Sequence, residues 1–385
     1  MRIIAAPDSF KGNMSAVEAC AAITEGILRA APEAVVYKLP LADGGEGTAR
    51  IITEAAGGCF LRTLVTGPLG DPVEAEFGLI GDGRIAVLDL ASASGIELVR
   101  RDRLDPMRAT SYGTGELIAA ALDTGARELL IGIGGSAVND GGIGMLSALG
   151  FRVLDGDGKP VGQGGAALAG IAAFDGAGAD PRLRGLSLKV ACDVTNPLLG
   201  REGASAVFGP QKGATEEQAG ILDRGLAKLA AAWIRAGLTE DVEQPGDGAA
   251  GGVGAALRIC LGGIMQSGAM LVMGYSGFFD RLREAGLVIT GEGKTDGQTG
   301  GGKLCSVVAR ESRRAGVPVA LLSGALDGEV SALLDSFDYA VSVSCGQEGL
   351  EAMIRDSYRD LSFAAENLIR AVGLGGRRKQ REPTV

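Results

Sequence analysis

The chain contains no histidine among its 385 residues. This absence excludes a Ser-His-Asp triad, a Cys-His pair, a histidine general base and a histidine-ligated zinc. Any acid–base chemistry therefore falls to Asp, Glu, Lys, Tyr or Cys. Aromatic residues make up only 4% of the chain, which argues against a stacking platform for single-stranded nucleic acid.

Clustered cysteines and long apolar runs are also missing. The six cysteines are scattered without a C-x-x-C motif, which favours reduced thiols over disulfides or a zinc site. No apolar run reaches the length of about 18 residues that a membrane helix needs, and because the sequence starts with a strand-like segment we expect no signal peptide. The net charge of −10 predicts poor binding of polyanions. We expect a cytoplasmic monomer or homodimer without nucleic-acid or membrane partners.

Glycine, by contrast, is in excess. The 64 glycines amount to about 17% of the chain, whereas about 7% is usual. No strict Gly-X-Y period accompanies them, so a collagen-like fold is excluded. The excess indicates tight turns or backbone that lies close to a ligand.

Short apolar strands alternate with helices at both chain ends, which predicts an α/β fold with a doubly wound parallel sheet. Five strands contribute: Arg2–Ala6, Ala34–Leu39, Leu287–Thr290, Val317–Leu322 and Tyr339–Val343. A capping box of Ser15 and Glu18 begins the first helix.

The middle of the chain differs in pattern. Gly81-Asp82-Gly83 lies between two apolar runs, as in a β-hairpin. We therefore expect one domain from residues 1–60 and 276–372, an inserted mixed α/β domain over 61–275, and a loose polar tail over 373–385.

Four segments combine glycines with carboxylates. They are Asp43–Thr48, Gly132–Gly142, Gly246–Gly254 and Gly291–Thr299. Bare backbone N–H groups before a helix bind phosphate, and neighbouring carboxylates suit Mg²⁺. Together the segments favour phosphoryl transfer from a nucleotide, although any single Asp-Gly pair is typical of an ordinary turn.

Two of these segments approach known nucleotide motifs without matching them. Gly291-Glu-Gly-Lys-Thr295 lacks the first glycine of a P-loop, because Val288 occupies that position. The Gly132-x-Gly134-x-x-Ala137 pattern is similar to a dinucleotide fingerprint. However, Gly141 and Gly142 follow where the helix should already have begun, and glycine there costs about 1 kcal/mol relative to alanine. A phosphate loop remains the better interpretation.

Two further clusters close predicted strands. Pro7–Gly12, with Asp8, Ser9 and Lys11, follows the first strand, where open α/β sheets bind ligands. Cys192–Pro197 contains Asp193 and Asn196. For both clusters a simple strand-exit turn is the structural alternative.

In this order, the segments resemble the type-1 glycerate kinase family over about residues 1–372. The stretches that carry the resemblance are Pro7–Gly12, Ala42–Thr48, Gly134–Ser136, Asn139–Gly142, Cys192–Val194, Asn196–Leu198, Val207–Ala214, Gly248–Gly252, Thr290–Gly293, Asp296, Gln298, Thr299, Gly302 and Lys303. The resemblance implies phosphorylation of D-glycerate with ATP and Mg²⁺. It implies 2-phosphoglycerate as the product, with 3-phosphoglycerate as the alternative, and a flavodoxin-like domain that carries an inserted domain.

On this basis, roles can be assigned to particular residues. The catalytic candidates are Asp8, Lys11 and Asp193, with a carboxylate as the base because histidine is absent. Candidates for binding glycerate are Ser9, Lys11, Asn196 and Lys303, with Lys11 the preferred partner of its carboxylate. Candidates for binding the nucleotide are Gly134, Gly135, Ser136, Gly291, Glu292 and Gly293. Candidate metal ligands are Asp43, Asp193 and Asp296.

Two other classes of function remain open. A nicotinamide-dependent oxidoreductase would use the Gly132 loop for its cofactor. A non-catalytic binding protein for small acids would bind glycerate without turnover, although several glycine-and-carboxylate segments exceed what a small monoanion requires.

Overall fold

A computed structural model describes residues 1–10, 13–45, 47–295, 304–327, 330–345 and 350–379. The strands are β1 (Arg2–Ala5), β2 (Val35–Lys38), β3 (Cys59–Thr66), β4 (Pro72–Ile80), β5 (Ile85–Asp89), β6 (Glu128–Gly132), β7 (Arg152–Leu154), β8 (Ala173–Asp175), β9 (Ser187–Ala191), β10 (Ile264–Gln266), β11 (Leu287–Thr295), β12 (Val319–Leu326) and β13 (Tyr339–Ser342).

The α-helices lie between or after these strands. They are α1 (Ala16–Ala30), α2 (Thr48–Ala55), α3 (Ala91–Ser94), α4 (Tyr112–Asp123), α5 (Ile143–Ala148), α6 (Ala204–Phe208), α7 (Glu216–Arg235), α8 (Val253–Leu261), α9 (Gly268–Tyr275), α10 (Phe278–Leu282), α11 (Leu304–Arg314) and α12 (Leu350–Lys379). In the described part of the chain, no helix has both the length and the apolar character required to cross a bilayer.

The chain divides into two compact units. The terminal unit comprises Met1–Asp43 and Val272–Val385, and the inserted unit comprises Gly44–Leu271. The sequence places the borders after residues 60 and 275 instead. The first border differs because α2 packs on β4 and β5 and buries Ile51 and Ile52, so residues 44–60 belong with the second sheet. The second border lies within α9.

The terminal unit is built on a five-stranded sheet. Its order is β2-β1-β11-β12-β13, and every neighbouring pair is parallel. In chain order within the unit this is 2-1-3-4-5, the flavodoxin-like arrangement. The prediction of a doubly wound parallel sheet from both chain ends is confirmed.

Helices α1 and α12 cover this sheet together. The predicted capping box is present, since Ser15 accepts a hydrogen bond from the Glu18 N–H and Glu18 accepts one from the Ser15 N–H. The two helices approach closely at Gly26, where a Cβ atom would lie 2.0 Å from the Ser362 carbonyl oxygen. Helix α12 continues to Lys379, so the loose tail predicted from residue 373 is wrong up to that point. A helix once formed extends at little cost per residue.

The inserted unit contains a six-stranded mixed sheet in the order β10-β9-β6-β5-β4-β3. Strands β5, β6, β9 and β10 are parallel, whereas β3, β4 and β5 form antiparallel pairs. The predicted hairpin at Gly81–Gly83 joins β4 to β5, and all three residues have positive φ. Helix α7 buries Trp233 in a core with Leu226 and Leu229. The carboxyl ends of the parallel strands therefore lie along one edge of the sheet.

Candidate active site

A glycine loop joins β6 to α5 at the carboxyl edge of the inserted unit's sheet. It contains Gly134, Gly135 and Ser136, the predicted nucleotide-binding residues. The helix begins only at Ile143, because Gly141 and Gly142 both have left-handed φ angles, of 62° and 77°. The sequence argument against an early helix start is confirmed, which leaves a long loop rather than the short turn of a dinucleotide fingerprint.

The backbone of this loop leaves two donors open. The Gly134 N–H donates to the Gly44 carbonyl, and the Ala137 N–H donates to the Ser94 carbonyl. Between them, the N–H groups of Gly135 and Ser136 make no hydrogen bond within the described residues. Gly135 is exposed and has a φ of 71°. Consecutive open N–H groups of this kind bind anions, phosphate in particular.

Beneath the loop lies Lys212, a residue that the sequence-based site assignment does not include. Its side chain is 2% exposed. Its Nζ donates to Ser136 Oγ at 2.8 Å and to the Val138 carbonyl at 2.6 Å. Burial lowers the pKa of Lys212 to about 7, while Asp140 acts in the opposite direction. The sequence could have indicated Lys212 as a site residue, because it lies in Val207–Ala214, a stretch that carries the family resemblance.

Asp140 holds the far end of the same loop. It is fully buried and accepts hydrogen bonds from the N–H and hydroxyl groups of Ser111 and from the Gly142 N–H. Burial raises the pKa of Asp140, and these hydrogen bonds oppose the shift. Its neighbour Asn139 donates to Ser205, while Asn139 Oδ1 has no partner among the described residues. These groups fix the loop from inside.

The glycine segment at 246–254 packs against the loop. The Gly141 N–H donates to the Gly251 carbonyl. A Cβ atom at Gly251 would lie 2.2 Å from the Val138 carbonyl oxygen. Asp247 is fully buried in a bidentate ion pair with Arg258. Close backbone packing accounts for the glycines here.

Two predicted site residues follow β9 on the same sheet. Asp193 accepts hydrogen bonds from the Gly268 and Ala269 N–H groups, at 3.1 and 3.2 Å, and so caps α9. Asn196 donates to the Glu202 carbonyl and accepts from the Gly248 N–H through its own carbonyl. Both residues therefore have identifiable structural contacts. Asp89 at the end of β5 likewise binds the Gly47 and Ala49 N–H groups at the start of α2.

The terminal unit brings other predicted residues together at the ends of β1 and β11. The Asp8 N–H donates to the Gly291 carbonyl, and Asp8 Oδ1 accepts from the Ser9 N–H at 2.6 Å. Burial raises the pKa of the Cys305 thiol, and the negative charges of Glu292 and Asp8 raise it further. Two carboxylates of the predicted site thus lie at the carboxyl ends of neighbouring parallel strands.

The segment Gly291–Thr295 is a strand, whereas the sequence predicts a glycine loop. Strand β11 pairs with β12 as far as Thr295 opposite Leu326. Glycine is tolerated in this strand because the backbones approach closely: a Cβ atom at Gly291 would lie 2.2 Å from the Leu322 carbonyl oxygen. Gly293 lies in the same ladder, and the Glu292 side chain accepts from Thr295 Oγ1.

Several predicted residues cannot be placed in this geometry. Lys11, Asp296 and Lys303 lie outside the described residues. Asp43 is half-buried at the end of the terminal unit's first segment. Among the described residues, no three Asp, Glu or Cys side chains come close enough to form a metal site of their own. A Mg²⁺ that bridges phosphates needs only one or two protein carboxylates.

The fold is that of an α/β protein, and the open N–H groups at the carboxyl edge of its parallel sheet are donors of the kind that bind phosphate. The chain belongs to the glycerate kinase family, whose model matches residues 3–373, and it is a kinase. It is 44% identical to a glycerate kinase of Bacillus subtilis, over 97% of this chain and 98% of that one.

Two further relatives cover almost the whole chain. A glycerate 2-kinase of Escherichia coli is 42% identical over 98% of this chain and 99% of its own length. A crystal structure from Salmonella typhimurium LT2, of a protein named glycerate kinase 2, is 44% identical. It superposes with a TM-score of 0.85 and covers 98% of this chain and 99% of the other.

Proposed function

We propose that the protein transfers the γ-phosphoryl group of ATP to the 2-hydroxyl group of D-glycerate, which yields 2-phosphoglycerate. Family membership and the names of the relatives support the substrate, and the Escherichia coli name supports the position of transfer. The observation that carries the proposal is the pair of open N–H groups at Gly135 and Ser136. The alternative hypotheses of an oxidoreductase or a non-catalytic acid-binding protein do not explain why the chain belongs to this family.

ATP with Mg²⁺ fits the residues of the glycine loop. The Gly135 and Ser136 N–H groups are donors suited to phosphate oxygens, and Gly135, which adopts a φ of 71°, has no Cβ to obstruct them. When bound, Mg²⁺ neutralises charge on the transferring phosphoryl group. Asp43, Asp193 and Asp296 remain the candidates for holding it, and Gly291, Glu292 and Gly293 remain candidates for contacting the nucleotide.

The acceptor side needs a base and a cation. Asp8 is the candidate base, because its carboxylate lies at the carboxyl end of β1 and no histidine exists to replace it. Lys11, or else Lys303, would hold the glycerate carboxylate through a charge-assisted hydrogen bond. Ser9 and Asn196 complete the proposed substrate contacts. The cytoplasmic location and the monomeric or dimeric state stay predictions from the sequence.

Product analysis by ³¹P NMR tests the reaction directly. D-Glycerate, ATP and Mg²⁺ should give one phosphomonoester that matches authentic 2-phosphoglycerate, with ADP released in equal amount. A 3-phosphoglycerate signal would overturn the position of transfer. Binding of glycerate without ADP release, or NADH turnover in the absence of ATP, would favour one of the other classes.

A further inference from the structure

Lys212 is a buried basic residue to which the proposed reaction assigns no role. Burying an ammonium group costs free energy, and a methionine of similar length would fill the same space without that cost. The turn that carries it, Pro210–Lys212, is closely held: Gly213 has a φ of 94°, and a Cβ atom there would lie 2.5 Å from the Leu104 carbonyl oxygen. The ammonium group is therefore delivered to a defined position.

That position lies against the glycine loop that carries the open donors. The two acceptors of Lys212 Nζ, Ser136 Oγ and the Val138 carbonyl, lie on either side of Ala137. The Ala137 N–H is in turn bound to the Ser94 carbonyl. Side chain and backbone thus hold one short stretch from two directions. An ammonium group has three N–H donors, of which these contacts use two.

We propose that Lys212 holds Gly135 and Ser136 in position to bind the nucleotide phosphates, and that its buried ammonium group balances the negative charge of those phosphates. This inference rests on the proposed function, since it assumes that the glycine loop binds ATP. Lys212 acts on the phosphates through the loop, so it is a positioning residue rather than a catalytic one.

The electrostatics of Lys212 predicts a pH dependence of nucleotide binding that a purely structural role would not produce. Burial lowers the pKa of Lys212 to about 7, and Asp140 is the charged group that opposes this shift among the described residues. Negative phosphates nearby would raise the pKa of Lys212. Above pH 7, the free protein holds much of Lys212 neutral, so nucleotide binding takes up a proton. Nucleotide affinity should therefore fall as the pH rises from about 7.

Titration calorimetry with ADP and Mg²⁺ at pH 8 measures this uptake. The wild-type protein is compared in Tris and HEPES, which differ in ionisation enthalpy. Uptake of up to about one proton per nucleotide is expected. In Lys212→Met, the uptake should vanish and the affinity should fall about tenfold or more, the range for a lost charge-assisted hydrogen bond. Lys212→Arg should bind ADP without uptake, because its guanidinium stays charged.

Lys189→Met is the matched control, since Lys189 lies in β9 of the same unit and pairs with Glu128. It should keep wild-type affinity and uptake. Buffer-independent heats in the wild-type protein overturn the proposal even if Lys212→Met does not fold. If Gly135→Val weakens ADP binding while Lys212→Met, with a normal melting temperature, does not, this inference fails alone. If Gly135→Val binds ADP as tightly as wild type, the proposed phosphate loop itself fails.

Discussion

Gly135 is the residue at which the nucleotide assignment can be tested most directly. Its φ of 71° is one that a β-branched residue adopts only with strain, about 1–2 kcal/mol. Gly135→Val should also place methyl groups among the open N–H donors. We expect the KM for ATP to rise about tenfold or more, equivalent to about 1.4 kcal/mol, with a smaller change in the KM for glycerate. Steady-state kinetics with each substrate varied measures both.

The control for this variant is Gly185→Val. Gly185 is exposed and has a φ of 77°, and a Cβ atom at this position would have no neighbour within 4 Å. It precedes β9, at the amino edge of the same sheet. The two variants should lose similar thermal stability, while only Gly135→Val weakens ATP binding. Equal kinetics in both variants would assign the loop a packing role.

Asp8 offers the corresponding test of the acceptor side. If its carboxylate accepts the proton of the glycerate hydroxyl, Asp8→Asn should lower kcat by about 10²–10⁴, the usual contribution of a general base, and change KM less. Asp338→Asn is the control, because Asp338 also accepts a backbone N–H, from Val319, but at the amino end of β12. A wild-type kcat in a folded Asp8→Asn enzyme would exclude Asp8 as the base.

Among the secondary-structure elements, α9 raises the question of whether Asp193 is a helix cap or a metal ligand. It accepts two N–H groups at the start of α9, so Asp193→Ala should lower the free energy of unfolding by about 1 kcal/mol. Asp193→Asn keeps an acceptor and removes the charge. We expect the Asn variant at one or more of Asp43, Asp193 and Asp296 to raise the Mg²⁺ concentration required for half-maximal rate. Unchanged Mg²⁺ dependence in all three would contradict the metal assignment.

Local patterns predict the elements whose causes are local. The capping box at Ser15, the hairpin at Gly81–Gly83 and the five strands of the terminal sheet all depend on residues within a few positions of one another. The strand at Gly291–Thr295 escapes such patterns because its glycines are explained by β12, a distant segment that approaches too closely for side chains.

The candidate active site likewise depends on contacts between distant segments, which local sequence patterns do not predict. Lys212 and Ser136 are 76 positions apart, and Asp193 and Gly268 are 75 apart. The sequence could indicate that each segment belongs to a site, through its glycines and carboxylates. It could not show that Lys212 lies under the loop or that Asp193 caps a helix, because these contacts depend on how the strands are ordered in the sheet.

For the whole molecule, the single tryptophan separates the two units experimentally. Trp233 is the only tryptophan of the chain and is fully buried in the core of the inserted unit, so its fluorescence reports the unfolding of that unit. If the phosphates bind the Gly134–Ser136 loop, ADP with Mg²⁺ at 100 times its Kd should stabilise the Trp233-detected transition by about 2.7 kcal/mol. The measurement is urea unfolding followed by fluorescence, with and without ADP. Gly135→Val should lose about half of this stabilisation or more at the same ADP concentration, as a Kd about tenfold higher or more requires, whereas Gly185→Val should retain it. A Trp233 transition that ADP does not shift, in a protein that demonstrably binds ADP, would show that nucleotide binding is not coupled to the inserted unit's stability and would contradict the proposed phosphate loop.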